Sequence, residues 1–525
     1  MSQGLDIARL LARLATASPG SDAVVDDHCR VDRAGLQRRV HSAVARLTQL
    51  GVPPGARFGV QLGNHVDTLA VYLAGWSRGS TPVNVNRRYR VAEVAALMRD
   101  HDLMALVTEA DRLDELRDPV AADGAGIGVL GPEELTVVQR AADRAGGQRT
   151  AAGYLLMTGG TTGAPRPVAW TMHDIVAGAM YPRSHPDISP DPDVLISRSV
   201  VLPAGRTLVA APMDHAFGQW MAFAVLLAGG TAVLTDRRPL DPEHLLDLVA
   251  RQRCDTMNVA GQAFVARIVE ALDGGATRPP TLQHLVTGGA ATVDRTKRAL
   301  WQWLPDVVIV EGIGASETGT LGRVAQRSDL AGDLTPRFSP TPGTLIVDDD
   351  LQPVDAGAQG RIARVGSIGL GYADDRGDGD RFVTVDGVRM AVLDDAAALE
   401  QDGTFVLRGR LDRVINSGGE KVHPAEVEGL LAQHPDVEDC VVLGEPHAVL
   451  GQQVVAVVRM SGGGIDAEGV VEYLRGHVAG YKVPRRIVVV PEIPRLDSGK
   501  VDLEGVRAAV DGPNRTVHEP VGRRR

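Results

Sequence analysis

The sequence predicts an α/β protein with a large N-terminal unit of parallel sheets covered by helices, followed by a small α+β unit. Two observations support this fold class. Up to about residue 340, short runs rich in Val, Ile and Leu alternate with helical segments, which is typical of parallel sheets. After that point the pattern changes first to short strands with Gly and Asp turns, and then to a compact mixture of helices and strands.

The N-terminal unit should contain helices and strands in regular alternation. Helical spacing of apolar residues predicts helices at 7–14, 36–50, 65–74, 91–99, 242–252 and 263–272. Short β-rich runs predict strands at 57–61, 81–85, 154–157, 231–234, 256–259, 285–287 and 307–310. Residues 341–411 read as an antiparallel β-rich subdomain, whereas 322–340 and the last dozen residues are expected to be flexible.

The C-terminal pattern predicts a second, smaller domain at residues 412–525, with residues 1–411 as the first domain. Its expected elements are helices at 424–432 and 467–477, with strands at 437–443, 453–460 and 486–490. About 110 residues are enough for an independent unit. The boundary falls near Asp412.

Composition excludes several classes of protein. The 525 residues carry a formal net charge of −11, which disfavours nucleic acid as a partner. The three cysteines are scattered and lack disulfide or metal-site spacing, so we expect a cytoplasmic protein. No apolar run reaches membrane-spanning length. The sequence leaves the oligomeric state open, a homo-oligomer included.

Lysine is rare in this chain. Of 55 basic residues only four are lysines, Lys297, Lys421, Lys482 and Lys500. An ammonium group is a compact point charge that a guanidinium does not replace. Lys421 and Lys482 are interpreted as surface groups, whereas Lys500 lies on a predicted loop, P-R-L-D-S-G-K, near the end of the chain.

The most informative stretch is T-G-G-T-T-G-A-P-R, which follows the predicted strand 154–157. Glycines allow close approach to a ligand, and consecutive backbone N–H groups form a nest for anions. The candidate phosphate-binding residues are Thr158, Gly159, Gly160, Thr161, Thr162, Gly163 and Arg166. The stretch is not a Walker loop, because no G-K-[ST] closes it. A tight surface turn is the alternative interpretation.

Further motifs follow in order. Gly288-Gly289-Ala290 comes after a strand and could let a flat ring lie against the backbone. Glu317, in E-G-I-G-A-S-E-T-G, could reach a metal ion bound to phosphates. Asp395 could accept hydrogen bonds from ribose hydroxyl groups, and Asp394 is interpreted as its solvated neighbour. Plain turns and solvated carboxylates are the alternatives for each of these motifs.

Together these motifs resemble the adenylate-forming superfamily, which contains acyl- and aryl-CoA synthetases, peptide-synthetase adenylation domains and luciferase-like enzymes. The resemblance covers about residues 20–510, and S-G-G-E-K-V-H-P-A-E-V-E at 417–428 is its most specific match. It implies that a carboxylate attacks the α-phosphate of Mg-ATP, giving an acyl-adenylate and pyrophosphate. The small domain then rotates, and an acceptor, usually the CoA thiol, displaces AMP.

The resemblance also implies roles for individual residues. Lys500, Glu317, His215 and Thr162 would be catalytic, with Glu317 holding Mg²⁺ and Asp412 as the hinge. The nucleotide would be bound by the phosphate-binding residues above and by Gly288, Gly289, Ala290, Ile313, Gly314, Ser316, Asp395, Arg410 and Lys500. The acid pocket would be lined by His215, Phe217, Gln219, Trp220, Asn258, Val259, Gly261, Gln262, Gly288 and Gly314. A packed, noncatalytic histidine is the alternative for His215.

Three positions depart from the family pattern. The first loop ends P-R-P instead of P-K-G, Ile313 replaces the aromatic residue that usually stacks on adenine, and L-D-D at 393–395 replaces T-G-D. None removes a charge that adenylation needs, so these changes bear on the substrate and acceptor more than on the ATP chemistry.

The mixed pocket favours a small aromatic or polar carboxylic acid over a long alkyl chain, and the resemblance implies CoA as the acceptor. One alternative keeps adenylation but uses a non-CoA acceptor of secondary metabolism: an amine, a carrier protein, or an aryl amine diazotised with ATP-activated nitrite. Another is a noncatalytic nucleotide-binding protein, against which the retained Glu317, Asp395, Arg410, Asp412 and Lys500 argue.

Overall fold

The computed structural model describes residues 5–122, 125–130, 135–139, 153–158, 165–181, 191–237, 240–289, 291–330, 332–374, 376–417, 420–447, 449–461, 467–496, 500–512 and 516–518. The predicted fold class is confirmed, because two large sheets with parallel strands and helices precede a β-rich sheet and a small α+β unit. No helix in these ranges is long and apolar enough to cross a bilayer.

The first sheet has nine strands within the described residues. Parallel pairing of Arg206–Val209, Thr256–Ala260, His284–Gly288 and Val308–Ala315 brings the carboxyl ends of these strands to one edge. In spatial order the strands are Ser339–Pro340, Gly319–Gln326, Val308–Ala315, His284–Gly288, Thr256–Ala260, Arg206–Val209, Thr231–Leu234, Asp22–Val25 and Arg30–Asp32.

The second sheet has eight strands in the same described part of the chain. Its order is Gly371–Tyr372, Pro167–Trp170, Tyr154–Met157, Thr81–Asn84, Arg57–Gln61, Leu103–Glu109, Gly126–Leu130 and Leu135–Gln139. Tyr154–Met157 and Pro167–Trp170 form an antiparallel hairpin. The Thr/Gly-rich stretch is therefore the connection of a hairpin.

Helices cover both large sheets. One core cluster joins both sheets to Val66–Ser77 and Ala216–Leu227, with Trp76 packed 5.7 Å from Tyr154 between ring centroids. A second cluster holds three helices on the other face of the first sheet. The α-helices are Ile7–Ala17, Arg33–Gln49, Val66–Ser77, Val91–Asp100, Leu113–Ala122, Met172–Ile175, Pro192–Val201, Ala216–Leu227, Pro242–Gln252, Gly261–Asp273, Asp294–Trp303, Pro424–Leu431, Ala467–Arg475 and Leu503–Asp511.

The third sheet follows the large ones. It is antiparallel, as predicted, and contains Thr344–Val347, Gln359–Val365, Phe382–Val385, Val388–Leu399 and Phe405–Arg410. The chain passes through the turn Leu411–Arg413 into the small sheet, whose strands are Ile415–Ser417, Glu420–Val422, Val437–His447, Gly451–Met460, Arg486–Val489 and Thr516–His518. Asp412 lies in that turn, and its role as a hinge stays a prediction.

Two sequence expectations about local structure need correction. Residues 322–326 belong to the strand Gly319–Gln326 rather than to a flexible segment, because they pair with Val308–Ala315. Ala216–Leu227 is a helix that the analysis did not assign. Its residues are apolar almost all round, so it lacks the one-sided periodicity that marks a surface helix.

Candidate active site

The Thr/Gly-rich connection is closed at its base by two residues. The backbone N–H of Thr158 donates to the carbonyl oxygen of Arg166 at 2.8 Å, and the N–H of Arg166 donates to Thr158 Oγ1 at 3.1 Å. Gly159, Gly160, Thr161, Thr162 and Gly163 lie outside the described residues. Phosphate binding by this loop therefore stays a prediction.

The structure places Arg166 against an acidic partner that follows the edge strand Gly371–Tyr372 of the second sheet. Its Nε and Nη2 donate to the two carboxylate oxygens of Asp374 at 3.0 and 2.8 Å. The guanidinium also stacks 3.5 Å from the ring centroid of Tyr372. The Arg166 ion pair holds the pKa of Asp374 well below its usual range. In this arrangement Arg166 anchors the exit of the loop, and a contact with phosphate is not tested.

Asn84 is a site residue that the sequence analysis missed. Its Nδ2 donates to the carbonyl oxygen of Asp214 at 2.7 Å, and its Oδ1 accepts from the N–H of Met157 at 2.8 Å. Asn84 thus connects the entrance of the phosphate-binding loop to the turn before His215. The available signal was an amide side chain at the carboxyl end of a buried parallel strand.

Glu317 lies in the tight turn between Val308–Ala315 and Gly319–Gln326. The Tyr372 hydroxyl donates to Glu317 Oε1 at 2.7 Å. Desolvation, together with this carboxylate, raises the pKa of Tyr372 well above its usual value. The preceding Ser316 is held through its carbonyl oxygen, which accepts from Trp170 Nε1 at 2.9 Å. This hydrogen bond links the turn to the second sheet.

Asp394 is not a solvated neighbour of Asp395, so that interpretation was wrong. Its carboxylate accepts a hydrogen bond from Arg381 and lies 3.5 Å from Arg361 Nη2 and 3.8 Å from Arg410 Nη2. Asp395 directly opposes Arg410 in the antiparallel pairing of their strands. The two predicted ribose ligands are therefore adjacent, with Asp394 helping to fix the arginine.

Lys500 reaches this part of the site from the far end of the chain. Its carbonyl oxygen accepts from the N–H of Leu496 at 2.8 Å. The residue keeps contact with solvent, yet desolvation lowers the pKa of its ammonium group. The carboxylates of Glu317 and Asp395 act in the opposite direction, and Arg410 adds to the lowering. These interactions bring Lys500 together with three residues predicted to contact nucleotide or metal.

The Lys500 loop is anchored by Arg495. Its guanidinium Nη2 donates to both carboxylate oxygens of Asp439 at 2.8 and 2.9 Å, on the strand Val437–His447. In the same small unit, Lys482 pairs with Glu426 at 2.6 Å, as expected for a surface lysine. The side chain of Lys421 lies outside the described residues.

The predicted acid pocket lies where Ala216–Leu227 meets the first sheet. His215 precedes this helix, and its Nε2 is buried with no hydrogen-bond partner among the described residues, 4.0 Å from the nearest Asp214 carboxylate oxygen. A Cβ at Gly218 would lie 2.3 Å from backbone oxygens of the preceding turn, so only glycine permits this close packing. The ring of Phe217 lies 3.3 Å from where Gly288 would carry a Cβ.

Several predicted pocket residues face elsewhere. Gln219 and Trp220 are buried in the core, where Tyr154 donates to Gln219 and Trp220 Nε1 donates to the Tyr154 hydroxyl at 3.1 Å. Val259 lies in the core on the opposite face of the first sheet. The amide of Gln262 is used between helices, since its Nε2 donates to Thr296 Oγ1 at 2.8 Å. This arrangement contradicts these four pocket predictions.

The glycines of the site have distinct structural roles. Gly261 begins a helix with a φ of +71° and donates to Thr287 Oγ1 at 3.1 Å. A Cβ at Gly314 would lie 2.4 Å from the carbonyl oxygen of Gly319, so the hairpin itself requires glycine there. Gly289 has a φ of +86°, and Ala290 lies outside the described residues.

A buried ion pair that the sequence analysis did not find lies beneath this region. Lys297 and Glu311 are fully or almost fully buried, and Lys297 Nζ donates to Glu311 and to Gln326 Oε1. Glu311 Oε1 in turn accepts from the N–H of Thr292 at 2.7 Å. The pair therefore holds the segment that follows the Gly288-Gly289-Ala290 motif.

Metal binding can be tested only against the side chains present. Among the described residues, no group of three or more His, Cys, Asp or Glu is arranged to hold a metal ion. Mg²⁺, however, is usually bound by one or two carboxylates together with substrate phosphates. Only one oxygen of Glu317 is engaged by Tyr372 in the described structure, so its carboxylate fits such a site.

Comparison with known proteins identifies the family to which this chain belongs. The chain belongs to the AMP-binding enzyme family, which matches residues 11–372, with the AMP-binding enzyme C-terminal domain at residues 426–500. It is therefore an ATP-dependent, AMP-forming ligase.

Individual relatives agree with this assignment. The chain is 32% identical to a medium/long-chain-fatty-acid–CoA/3-oxocholest-4-en-26-oate–CoA ligase of Mycobacterium tuberculosis, covering 99% of this chain and 98% of the relative. It is 32% identical to the medium-chain acyl-CoA ligase Mig of Mycobacterium avium, covering 84% of each. The amide bond synthetase McbA from Marinactinospora thermotolerans has the same fold, with a TM-score of 0.79, 23% identity, and 96% and 99% coverage.

Proposed function

We propose that this ligase adenylates a small, aromatic carboxylic acid with Mg-ATP and transfers the acyl group to CoA. The observation that carries the proposal is that Lys500 lies within electrostatic range of Glu317, Asp395 and Arg410, whose charges act on its pKa. A cation there lies among the predicted metal and ribose ligands, as the adenylation step requires. The curated relatives described above, which are CoA ligases, support CoA as the acceptor.

In the first step, a carboxylate oxygen of the acid attacks the α-phosphorus of ATP, and the bond to the pyrophosphate oxygen breaks. Lys500 stabilises the negative charge that develops between the carboxylate and the phosphate. Asp395 and Arg410 bind the ribose. Thr158 and Ser316, with Thr161, Thr162 and Gly163, contact the phosphates. Glu317 would hold Mg²⁺, which would supply positive charge to the phosphates.

In the second step, the CoA thiol loses its proton, its sulfur attacks the acyl carbon, and AMP leaves. His215 directly precedes the helix Ala216–Leu227, where it would gate the proposed acid pocket between adenylation and thioester formation. Asp412 is the proposed hinge, since the turn Leu411–Arg413 joins the third sheet to the small sheet. Rotation there would withdraw Lys500 and bring the hairpin of Ser417 and Glu420 to the site.

Nucleotide product analysis tests this proposal. The enzyme is incubated with Mg-ATP and a panel of aryl and alkyl acids, each with and without CoA, and with nitrite plus aryl amines in a separate arm. AMP formed with an aryl acid and sharply increased by CoA would support the proposal. AMP formed with alkyl acids alone would retain the ligase but contradict the aromatic substrate.

The same experiment separates the alternative acceptor. AMP formation that does not respond to CoA, but requires an amine or nitrite, would assign the enzyme to the non-CoA branch predicted from the sequence. Lys500→Ala is the matched control in every arm. If this variant forms AMP at the same rate as the parent enzyme, the AMP does not come from the proposed site.

A further inference from the structure

Asn258 is a buried side-chain amide without a hydrogen-bond partner in the part of the chain that the structure describes. It lies on the strand Thr256–Ala260 and is 0% exposed. Neither its Nδ2 nor its Oδ1 has a hydrogen-bond partner among the described residues. Buried side-chain amides nearly always have partners, because an unpaired one has lost its water without compensation. A partner from outside the chain would account for its retention.

The orientation of Asn258 follows from its neighbours. Met257 and Val259 lie in the core on the helix-covered outer face of the first sheet. Successive side chains on a strand point to opposite faces, so Asn258 points to the inner face. That is the face on which Phe217 packs near Gly288.

The row of inner-face side chains that begins at Asn258 becomes more exposed toward Val310. Asn258 pairs in register with Val286, and Val286 with Val310, so the three side chains form a row across the sheet. On the outer face the neighbouring Leu285 and Ile309 are almost fully buried. Val286 and Val310, by contrast, are only partly buried. The row is therefore open at its Val310 end and closed at Asn258.

The next row widens this opening into a slot. It consists of Ala260, Gly288 and Gly312, again in register. A Cβ at Gly312 would have no atom within 4 Å, whereas one at Gly288 would meet the Phe217 ring. The open side of this slot is therefore at Gly312, whereas the carbonyl oxygen of Gly312 and the Phe217 ring bound it at Gly288. Asn258 begins the adjoining row on the same face of the sheet.

We propose that Asn258 recognises a hydroxyl group on the acid, at the end of the molecule away from its carboxylate. The inference rests on the proposed function, because it concerns the acid pocket of the same ligase. A hydroxyl can both donate to Oδ1 and accept from Nδ2. A methyl group or an alkyl chain would leave both amide atoms unpaired. The substrate class is therefore a hydroxy-substituted aromatic acid.

The test compares isosteric acids in the adenylation half-reaction, measured as pyrophosphate release without CoA. Hydroxybenzoates and hydroxycinnamates are paired with the methyl analogues substituted at the same ring position, and ω-hydroxy alkanoates with alkanoates of equal length. In the parent enzyme we expect one hydroxy acid to exceed its methyl partner by about tenfold or more in kcat/KM. Asn258→Leu should abolish or reverse this ratio, because it removes the amide that would bind the hydroxyl group.

Met257→Leu is the matched control, since it changes the adjacent residue on the opposite face and should leave the ratio unchanged. The rise in Tm that each acid produces in the presence of AMP gives a second measurement that does not need turnover. There too the hydroxy acid should stabilise the parent more, and Asn258→Leu should remove the difference. The role of Asn258 would be overturned if Asn258→Leu lost activity equally with both acids. It would also be overturned if the variant kept the parent's preference for the hydroxy acid in either measurement. Adenylation itself would still stand if pyrophosphate is released.

Discussion

Two of the four lysines occupy opposite kinds of environment. Lys297 is 0% exposed, and all its partners, Glu311, Gln326 and Leu334, belong to the same large unit. Lys500 is exposed, and Glu317 of the large unit acts on it only through its charge, which opposes the lowering of the Lys500 pKa. Each lysine is therefore associated with a glutamate, but only the first association is fixed by the core.

This difference distinguishes a lysine with a structural role, Lys297, from a lysine with a proposed catalytic role, Lys500. A buried ion pair with all its hydrogen bonds made is stable only while both partners remain. It can hold a neighbouring segment, as Glu311 holds Thr292, but it cannot respond to a ligand. Lys500 lies on a short loop that Arg495 anchors to Asp439. Movement of the small unit would therefore carry its charge into or out of the site.

The largest effect should come from breaking the core pair. Lys297→Met leaves Glu311 charged, buried and short of a partner, so we expect the free energy of unfolding to fall by about 3–5 kcal/mol. Urea denaturation measures this change. Lys482→Met is the control, because it removes a lysine–glutamate pair of similar length in which Glu426 is exposed. It should cost about 1 kcal/mol or less, and equal losses in the two variants would contradict the comparison.

The second largest effect should be catalytic and should leave stability unchanged. Lys500→Ala removes a charge aimed at the transition state, so pyrophosphate release should fall by about 10²–10³-fold. ATP affinity should change little, because the phosphates and ribose retain their other ligands. Equilibrium binding of ATP and single-turnover pyrophosphate release measure the two quantities. Unchanged pyrophosphate release would remove Lys500 from the catalytic machinery.

Much of the fold could be predicted from local signals. The strand Tyr154–Met157 and the helix Pro242–Gln252 occur at the predicted residues. The helix begins with Asp241 as its cap and proline at its first position, and both signals are visible in the sequence. The helix Ala216–Leu227 was missed because it is buried on nearly all sides.

Sequence motifs could name candidate site residues. They could not show which way a side chain faces in the fold, or which distant residue it pairs with. Gln219 and Trp220 stand next to Phe217 in the sequence, but their polar atoms bond to Tyr154 in the core. The arginines around Asp394 come from three separate segments of the third sheet. No local pattern distinguishes Asp394 from Asp395 until that sheet is assembled, and none pairs Lys297 with Glu311.

The pH dependence of adenylation gives a further test of the catalytic role of Lys500. Only the protonated form of Lys500 can stabilise the transition state, and desolvation lowers its pKa below the ordinary 10.5. The rate of pyrophosphate release should therefore fall with rising pH, with its midpoint below 10.5. Lys500→Arg should move this alkaline limit to higher pH, because a guanidinium stays protonated. A limit unaffected by that substitution would belong to another group.

The smallest effect on pyrophosphate release should come from Tyr372, whose hydroxyl orients the carboxylate of Glu317. In the core, Glu311 is fixed by a backbone N–H, whereas in the cleft Glu317 is fixed by the Tyr372 hydroxyl at 2.7 Å. Tyr372→Phe keeps the ring on which Arg166 stacks but removes this hydrogen bond. We expect pyrophosphate release to fall by about tenfold or less, since a hydrogen bond to a charged group contributes roughly 1.5 kcal/mol.

The loss in Tyr372→Phe should shrink at high Mg²⁺ if Glu317 holds the metal, because saturation compensates for a poorly oriented ligand. Titrating the half-reaction with Mg²⁺ therefore tests the metal site and the orientation together. A loss that is independent of Mg²⁺ concentration would mean that Tyr372 acts on the fold of the turn and not on metal binding. Glu317 would then have a structural role like that of Glu311. The contrast between the two lysine–glutamate pairs would depend only on the difference between Lys297 and Lys500.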